Sequence, residues 1–334
     1  MRPRFALVRI RRLARVSLAF TLLASAAAVA PLAGLAACGS TTNDPGLQLS
    51  TPKDGGKPKV DAANPMVDPT PDDSGTLPDP VGGPGRVYAH TNDTLYLFEP
   101  TAGTLKKIGA FTFDKAGTES DIIDIAVDRT GYMYGTTFSN FFSIDTSTAK
   151  CTWIATTAPL VDFPNSLSFV PAGTADPGKE ALVGYASNGD NVAVTYVQID
   201  TTTGVMTTLG DMNSASTGPL YRSSGDIISL IQDQNRTYAT VKLQVDGGSP
   251  GTDLLAEVDP TDGHLKRIIG DTKQTNLFGF GYWAGKGYGF SDTGRIVQID
   301  MSSGNSTVLL TLTDDAGTPL PWFGAGVTTQ APIK

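Results

Sequence analysis

From Arg86 onward apolar and polar residues alternate in short runs, and one phrase returns five times. Its first copy reads Leu97-Phe-Glu-Pro-Thr-Ala-Gly-Thr-Leu-Lys-Lys-Ile-Gly109, and the others occupy 143–154, 198–210, 257–269 and 298–309. Each copy predicts a strand, an acid–Thr/Ser–Gly turn and a second strand. The acid side chain caps the turn, glycine supplies a positive φ, and the alternation on either side suits a hairpin with one buried face. The leading acids Glu99, Asp145, Asp200, Asp259 and Asp300 are 46, 55, 59 and 41 residues apart.

A second pattern precedes the hairpins. Asp124-Ile-Ala-Val-Asp-Arg-Thr-Gly-Tyr-Met-Tyr-Gly135 parallels Phe278-Gly-Phe-Gly-Tyr-Trp-Ala-Gly-Lys-Gly-Tyr-Gly289, with a looser copy at Ser166–Gly173. It predicts a small-residue inner strand, a turn and a further strand. A mean repeat of about 50 residues with four strands per repeat predicts an all-β fold, a β-propeller of five four-stranded blades. The blades are placed at 86–113 with 322–330, then 120–158, 163–211, 219–271 and 275–314. The first hairpin lacks an inner strand and the last is followed by a spare one, Trp322-Phe-Gly-Ala-Gly-Val-Thr-Thr329. Closure by this C-terminal strand removes an exposed sheet edge. An open β-sandwich is the alternative. The repeats resemble those of NHL, YVTN and quinoprotein-like propellers, families whose shared strand grammar serves many functions. Quinone binding is not expected, because the Trp that closes quinoprotein repeats is approached only at Trp153.

The amino-terminal quarter reads differently. Arg-rich residues 2–15 precede an apolar stretch from Val16 to about Ala30, the layout of a secretory signal. Leu35-Ala36-Ala37-Cys38 resembles the bacterial lipobox. The resemblance implies cleavage after residue 37, acylation of Cys38 and attachment to a lipid bilayer in the cell envelope, outside the cytoplasm. Gly39 in place of Asp leans toward the outer membrane of a Gram-negative cell. Several acyl chains on one residue suffice for stable anchoring. An uncleaved membrane helix and an ordinary signal peptide are the alternatives, since Val16–Ala37 is long enough to span. Residues 38–85 are rich in Pro, Gly, Asp, Ser and Thr and lack aromatic residues, which predicts a disordered tether carrying the domain at 86–334.

Charge changes the picture once the leader is set aside. The whole chain carries −8, and removing the first 37 residues, with six Arg and no acid, takes it to about −14. A nucleic-acid partner is not expected, because phosphate binding needs clustered Lys and Arg. With Cys38 acylated, Cys151 has no partner, and its apolar surroundings predict a buried, inert thiol.

Candidate chemistry is sparse. His90 and His264 lack the spacing of a zinc pair and read as surface histidines. Gly173-Thr-Ala-Asp-Pro-Gly-Lys179 matches most of a phosphate loop, but Glu180 replaces the required Ser or Thr and Pro177 with no following helix removes the amide cradle, so it reads as a surface loop. Asp121, Asp124, Asn165, Asp226 and Asn276 each stand at or near the start of an inner strand. These starts gather at one mouth of a propeller, where oxygen ligands suit Ca²⁺, with Asp121, Asp124 and Asp226 as the carboxylates. The same residues read equally as turn caps with no bound cofactor. No catalytic residue is identifiable. The expected function is a non-catalytic binding or scaffold module for a protein, peptide or glycan. The alternative is a metal-dependent hydrolase or lyase working at the axial mouth.

Overall fold

The computed structural model describes residues 86–334, apart from 116, 118–119, 159–160, 188–191, 246–250 and 315. The leader, Cys38 and the tether lie outside the described residues. The chain forms β1 (Val87–His90), β2 (Thr94–Glu99), β3 (Thr104–Ala110) and a short β4 (Thr112–Phe113). There follow β5 (Asp124–Val127), β6 (Met133–Thr136), β7 (Asn140–Ile144) and β8 (Lys150–Thr156). The third group is β9 (Leu167–Val170), β10 (Ala181–Ser187), β11 (Ala193–Ile199) and β12 (Met206–Asp211). The fourth is β13 (Leu220–Leu230), β14 (Arg236–Gln244), β15 (Leu254–Val258) and β16 (Leu265–Asp271). The last comprises β17 (Leu277–Trp283), β18 (Lys286–Ser291), β19 (Arg295–Asp300) and β20 (Ser306–Thr311), and β21 (Gly324–Gly326) ends the series.

Each group is an antiparallel sheet, and the first is completed by the last strand in the order β21-β1-β2-β3. β21 pairs antiparallel with β1 through Tyr88↔Gly326, Ala89↔Ala325 and His90↔Gly324. The inner strands neighbour one another in the cycle β5, β9, β13, β17, β21 and back to β5. The fold is a five-bladed β-propeller closed by its C-terminal strand. Blade 2 departs from the expected four strands: β4 adds in parallel to β8, Thr112 opposite Lys150 and Phe113 opposite Cys151. The addition lets Phe113 pack edge-on against Phe142, ring centroids 5.2 Å apart, and occupies an outer edge that would otherwise be open.

The repeated phrase owes its form to the outer hairpin. In every blade the carbonyl of the leading acid accepts the amide four residues on: Glu99 from Gly103, Asp145 from Ala149, Asp200 from Gly204, Asp259 from Gly263 and Asp300 from Gly304, at 2.7–2.8 Å. The residue donating that amide has positive φ in all five, and glycine fills four of the places. Ala149 holds φ 61° in blade 2, a conformation costing an L-residue roughly 1–2 kcal/mol. Its methyl is fully buried beside Cys151 and Phe142, which offsets part of that cost. The carboxylates of Asp145, Asp200 and Asp300 each accept two turn amides.

The core is a set of wedges between neighbouring blades rather than one central mass. Along the outer strands Gly109, Gly210 and Gly270 hold equivalent positions, opposite Leu95, Tyr196 and Leu255. There the next blade's turn comes so close that Thr148, Asp262 and Ser303 carbonyl oxygens lie in contact with the place a Cβ would take. At the fifth junction Leu310 stands in that position, and Gly103 of blade 1 meets nothing within 4 Å. Blades 5 and 1 are joined instead through a cluster containing Phe98, Tyr288, Phe290 and Trp322.

Cys151 lies in the wedge between blades 1 and 2 with no exposed surface. Burial, helped by the charge of Asp114, pushes its thiol up to about 12. The thiolate is the reactive form, so Cys151 is expected to resist a thiol-specific chromogenic reagent at pH 8 and to react within the mixing time in denaturant. Rapid labelling of the native chain at Cys151 would contradict this burial.

Candidate functional site

Two features combine chemistry with geometry: a buried polar axis and a cavity where the inner strands end. On the axis, β5 opens with Asp124 and β13 carries Asp226, and both carboxylates are fully buried. Asp124 Oδ2 accepts the Leu167 amide of β9 at 2.5 Å. Asp226 accepts the Ile227 amide at 2.7 Å and the Phe280 amide of β17 at 3.1 Å, and the Ala325 amide of β21 also stabilises its charge. The two side chains interact directly. One pair of carboxylates thereby engages the inner strands of all five blades.

Burial raises both pKa values well above the ordinary carboxylate range, and for Asp124 the charge of Asp226 raises it further. Two buried carboxylates in contact share a proton instead of both ionising. Asp226 is favoured as the ionised member by its three amides, against two for Asp124.

His90 belongs to this axis, contrary to the surface position its sequence context implies. It has no exposed surface because β21 covers β1 on one side and Phe111 packs edge-on against its ring at 5.9 Å. Its Nδ1 lies 2.8 Å from the Thr91 carbonyl oxygen. A carbonyl only accepts, so Nδ1 carries the proton and Nε2 presents a lone pair. That Nε2, like Asp124 Oδ1, is buried without a hydrogen-bond partner. Both atoms face the Cβ-less side of Gly324. Desolvation lowers His90 to about 4, so the ring is neutral at pH 7.

The other residues singled out from sequence go elsewhere. Asp121 is exposed and accepts the Asn92 side-chain amide at 3.1 Å. Asn165 donates its backbone N–H to the Tyr185 carbonyl, and its Oδ1 is buried without a partner. Asn276, at φ 54°, accepts from Lys242 Nζ at 2.6 Å and donates to Asp292 at 2.8 Å. Lys242 also faces Asp253 at 3.4 Å, which accepts from Ser224 Oγ and the Leu277 amide. This network ties blade 4 to blade 5. Asp124 and Asp226 are thus brought together, while the side chains of Asp121 and Asn276 bond to other partners. Among the described residues no group of three or more His, Cys, Asp or Glu side chains is arranged to hold a metal ion.

The cavity lies between blades 2 and 3, has a volume of about 200 Å³, and is lined by Asp128, Arg129, Tyr134, Lys179, Glu180 and Thr201 among others. Its floor is fixed by aromatic packing, with Tyr134 stacked on Phe141 and tilted against Phe169. Asp128 is committed to its own turn, accepting the Thr130 and Tyr132 amides. Glu180 accepts the Arg129 amide at 2.9 Å and the Thr329 hydroxyl, and burial raises its pKa. The loop resembling a phosphate loop has a different use: the Asp176 carboxylate accepts the Gly178 and Lys179 amides, turning the chain so that Lys179 and Glu180 reach the cavity. In the sequence both residues read only as part of a surface loop, because a cavity assembled from two blades leaves no local signature. The C-terminal residues beyond β21 run across this same end. The Thr329 carbonyl accepts from Ile231 in blade 4, and the Pro332 carbonyl accepts from Ala284 in blade 5.

No family profile and no curated protein matches the chain. Among solved structures it is similar to the WD40 β-propeller domain of Doa1, with 8% identity over 73% of this chain and 83% of that one, at a TM-score of 0.37. It is similar to BamB from Moraxella catarrhalis, with 11% identity over 66% and 68% and a TM-score of 0.30. A third similar structure is the Dos1 propeller, with 10% identity and a TM-score of 0.34 over 70% of this chain, which spans only 57% of that protein.

Proposed function

We propose that this chain is a lipid-anchored, extracytoplasmic binding or scaffold module whose ligand, a protein, peptide or glycan, docks at the cavity between blades 2 and 3. The observation that carries the reading is the contrast between the two polar regions. The axial groups Asp124, Asp226 and His90 have 0% exposed surface, so a substrate cannot reach them without opening the ring. The cavity is open, is built on a rigid aromatic floor, and carries cations, acids and hydroxyls on two separate blades. Concave sites with a few convergent polar groups are where ligands bind. The anchor rests on the lipobox resemblance at Cys38, and the outer membrane is the proposed location.

Two measurements test the two halves separately. Growth with a radiolabelled fatty acid is expected to label the wild-type chain and not Cys38→Ser; equal labelling removes the anchor. Peptide and glycan arrays probed with the purified chain are expected to give saturable binding that falls at least tenfold in an Arg129→Glu/Lys179→Glu variant with an unchanged melting temperature. Binding indifferent to that variant would move the ligand off this cavity.

A further inference from the structure

Among the described residues the axial acid pair meets no counter-cation, and it packs against the strand that closes the ring. β21 has only three residues and meets β1 through three residue pairs. From the axial side it is held by the Ala325 amide, which stabilises Asp226. Gly324 lies against Asp124 Oδ1 and His90 Nε2 so closely that a Cβ there would collide with both. His90 is itself the β1 residue paired with Gly324. Every group able to change charge at the axis therefore touches the closure.

We propose that Asp124, Asp226 and His90 form a proton-dependent latch on β21: one proton shared by the two carboxylates keeps the ring shut, and its loss loosens the closing strand. The groups facing the pair are few. β1 contributes His90, and β9, β17 and β21 contribute backbone amides only. Neighbouring β6 contributes Thr136, whose hydroxyl is given to the Pro164 carbonyl. Lys242 on β14 is turned toward Asp253 and Asn276. With the proton gone, two anions face each other in a dry axis, which disfavours the closed state.

The sign follows from linkage. A carboxylate raised in the folded state gives stability that is complete below its unfolded value of about 3.9 and is lost as pH rises through the folded value. His90, lowered to about 4, acts oppositely below its unfolded value of about 6.5, where only the open chain takes up the proton. The two effects oppose each other between about 4 and 6.5. Above that range the pair acts alone, and closure weakens with rising pH.

Hydrogen exchange of the full chain from pH 5 to 9, corrected for intrinsic chemistry, reads this directly. Protection of the amides at 87–90 and 324–326 is expected to fall with rising pH above about 6.5, by up to about tenfold per pH unit until the pair has released its proton, while β10 and β11 stay level. Asp124→Asn keeps an acceptor for Leu167 and a permanent donor toward Asp226, so above about pH 6.5, where His90 no longer contributes, its closure should stay level. A wild type level to pH 9, or a variant that falls in parallel, overturns the latch. If Asp124→Asn fails to fold, carboxyl ¹³C titration of the wild type decides: the pair should keep a shared proton well above the ordinary carboxylate range, and two ordinary titrations near 4 would refute it.

Discussion

Trp322→Ala is expected to cost about 3–5 kcal/mol, the range for removing a large buried aromatic side chain. That is a large part of the ~5–15 kcal/mol that holds a typical domain folded. The indole has no exposed surface and stands edge-on to Tyr96 of blade 1 at 5.3 Å and to Phe290 of blade 5 at 5.6 Å. It bridges the junction between blades 5 and 1, where Leu310 takes the place that glycine holds on the outer strands of blades 1, 3 and 4. Its Nε1 is buried without an acceptor, so Trp322→Phe, which removes that donor and keeps most of the ring, should cost clearly less than alanine. Removing residues 322–334 altogether should abolish cooperative unfolding, because β1 would lose its partner and the axial pair the Ala325 amide. Urea titration followed by tryptophan fluorescence or circular dichroism measures both. A Trp322→Ala chain within 1 kcal/mol of the wild type would show that the ring is held elsewhere.

The second large effect concerns blade 4. Gly225→Ala is expected to destabilise at or beyond the upper end of the ~1–3 kcal/mol typical of overpacking. Gly225 sits in the irregular stretch between Ser223 and Ile227, where β13 slips its register against β14. The backbone of Leu277 and Phe278 on β17 lies across it, well inside the space a Cβ needs. Backbone on both sides cannot yield as a flexible side chain would. Gly103→Ala is the control: its φ is 64° but its Cβ side is empty, so it isolates the conformational cost of roughly 1–2 kcal/mol. Equal losses at the two positions would contradict the close packing of blades 4 and 5.

The architecture could be read from the chain because the outer hairpins repeat a demanding local geometry. A turn needing positive φ at one fixed place selects glycine, and four of five copies show it. Ala149 satisfies the same geometry without the expected letter, which is why the second copy looks degenerate. Closure was also legible, since an unpaired inner strand at one end and a spare one at the other answer each other. β4 was not, for two residues carry no periodicity. The axial pair was legible only in part. Position at the start of an inner strand marked Asp124 and Asp226 but equally marked Asp121 and Asn276, because spacing does not say which residue turns toward the axis. His90 was misread for a related reason. Its burial comes from a strand more than 230 residues later in the chain, and nothing around it in sequence announces that cover.

The pairing of β1 has a mechanical consequence. β1 is hydrogen-bonded on both edges, to β2 along Val87–His90 and to β21 along Tyr88–His90. Because Tyr88 pairs with Gly326 in an antiparallel register, the chain enters β1 and leaves β21 at the same end of the pair, so a pull between them peels that seam open one residue pair at a time. Single-molecule stretching from the two termini should accordingly open the β1–β21 seam first and at low force, before the four-stranded blades give way.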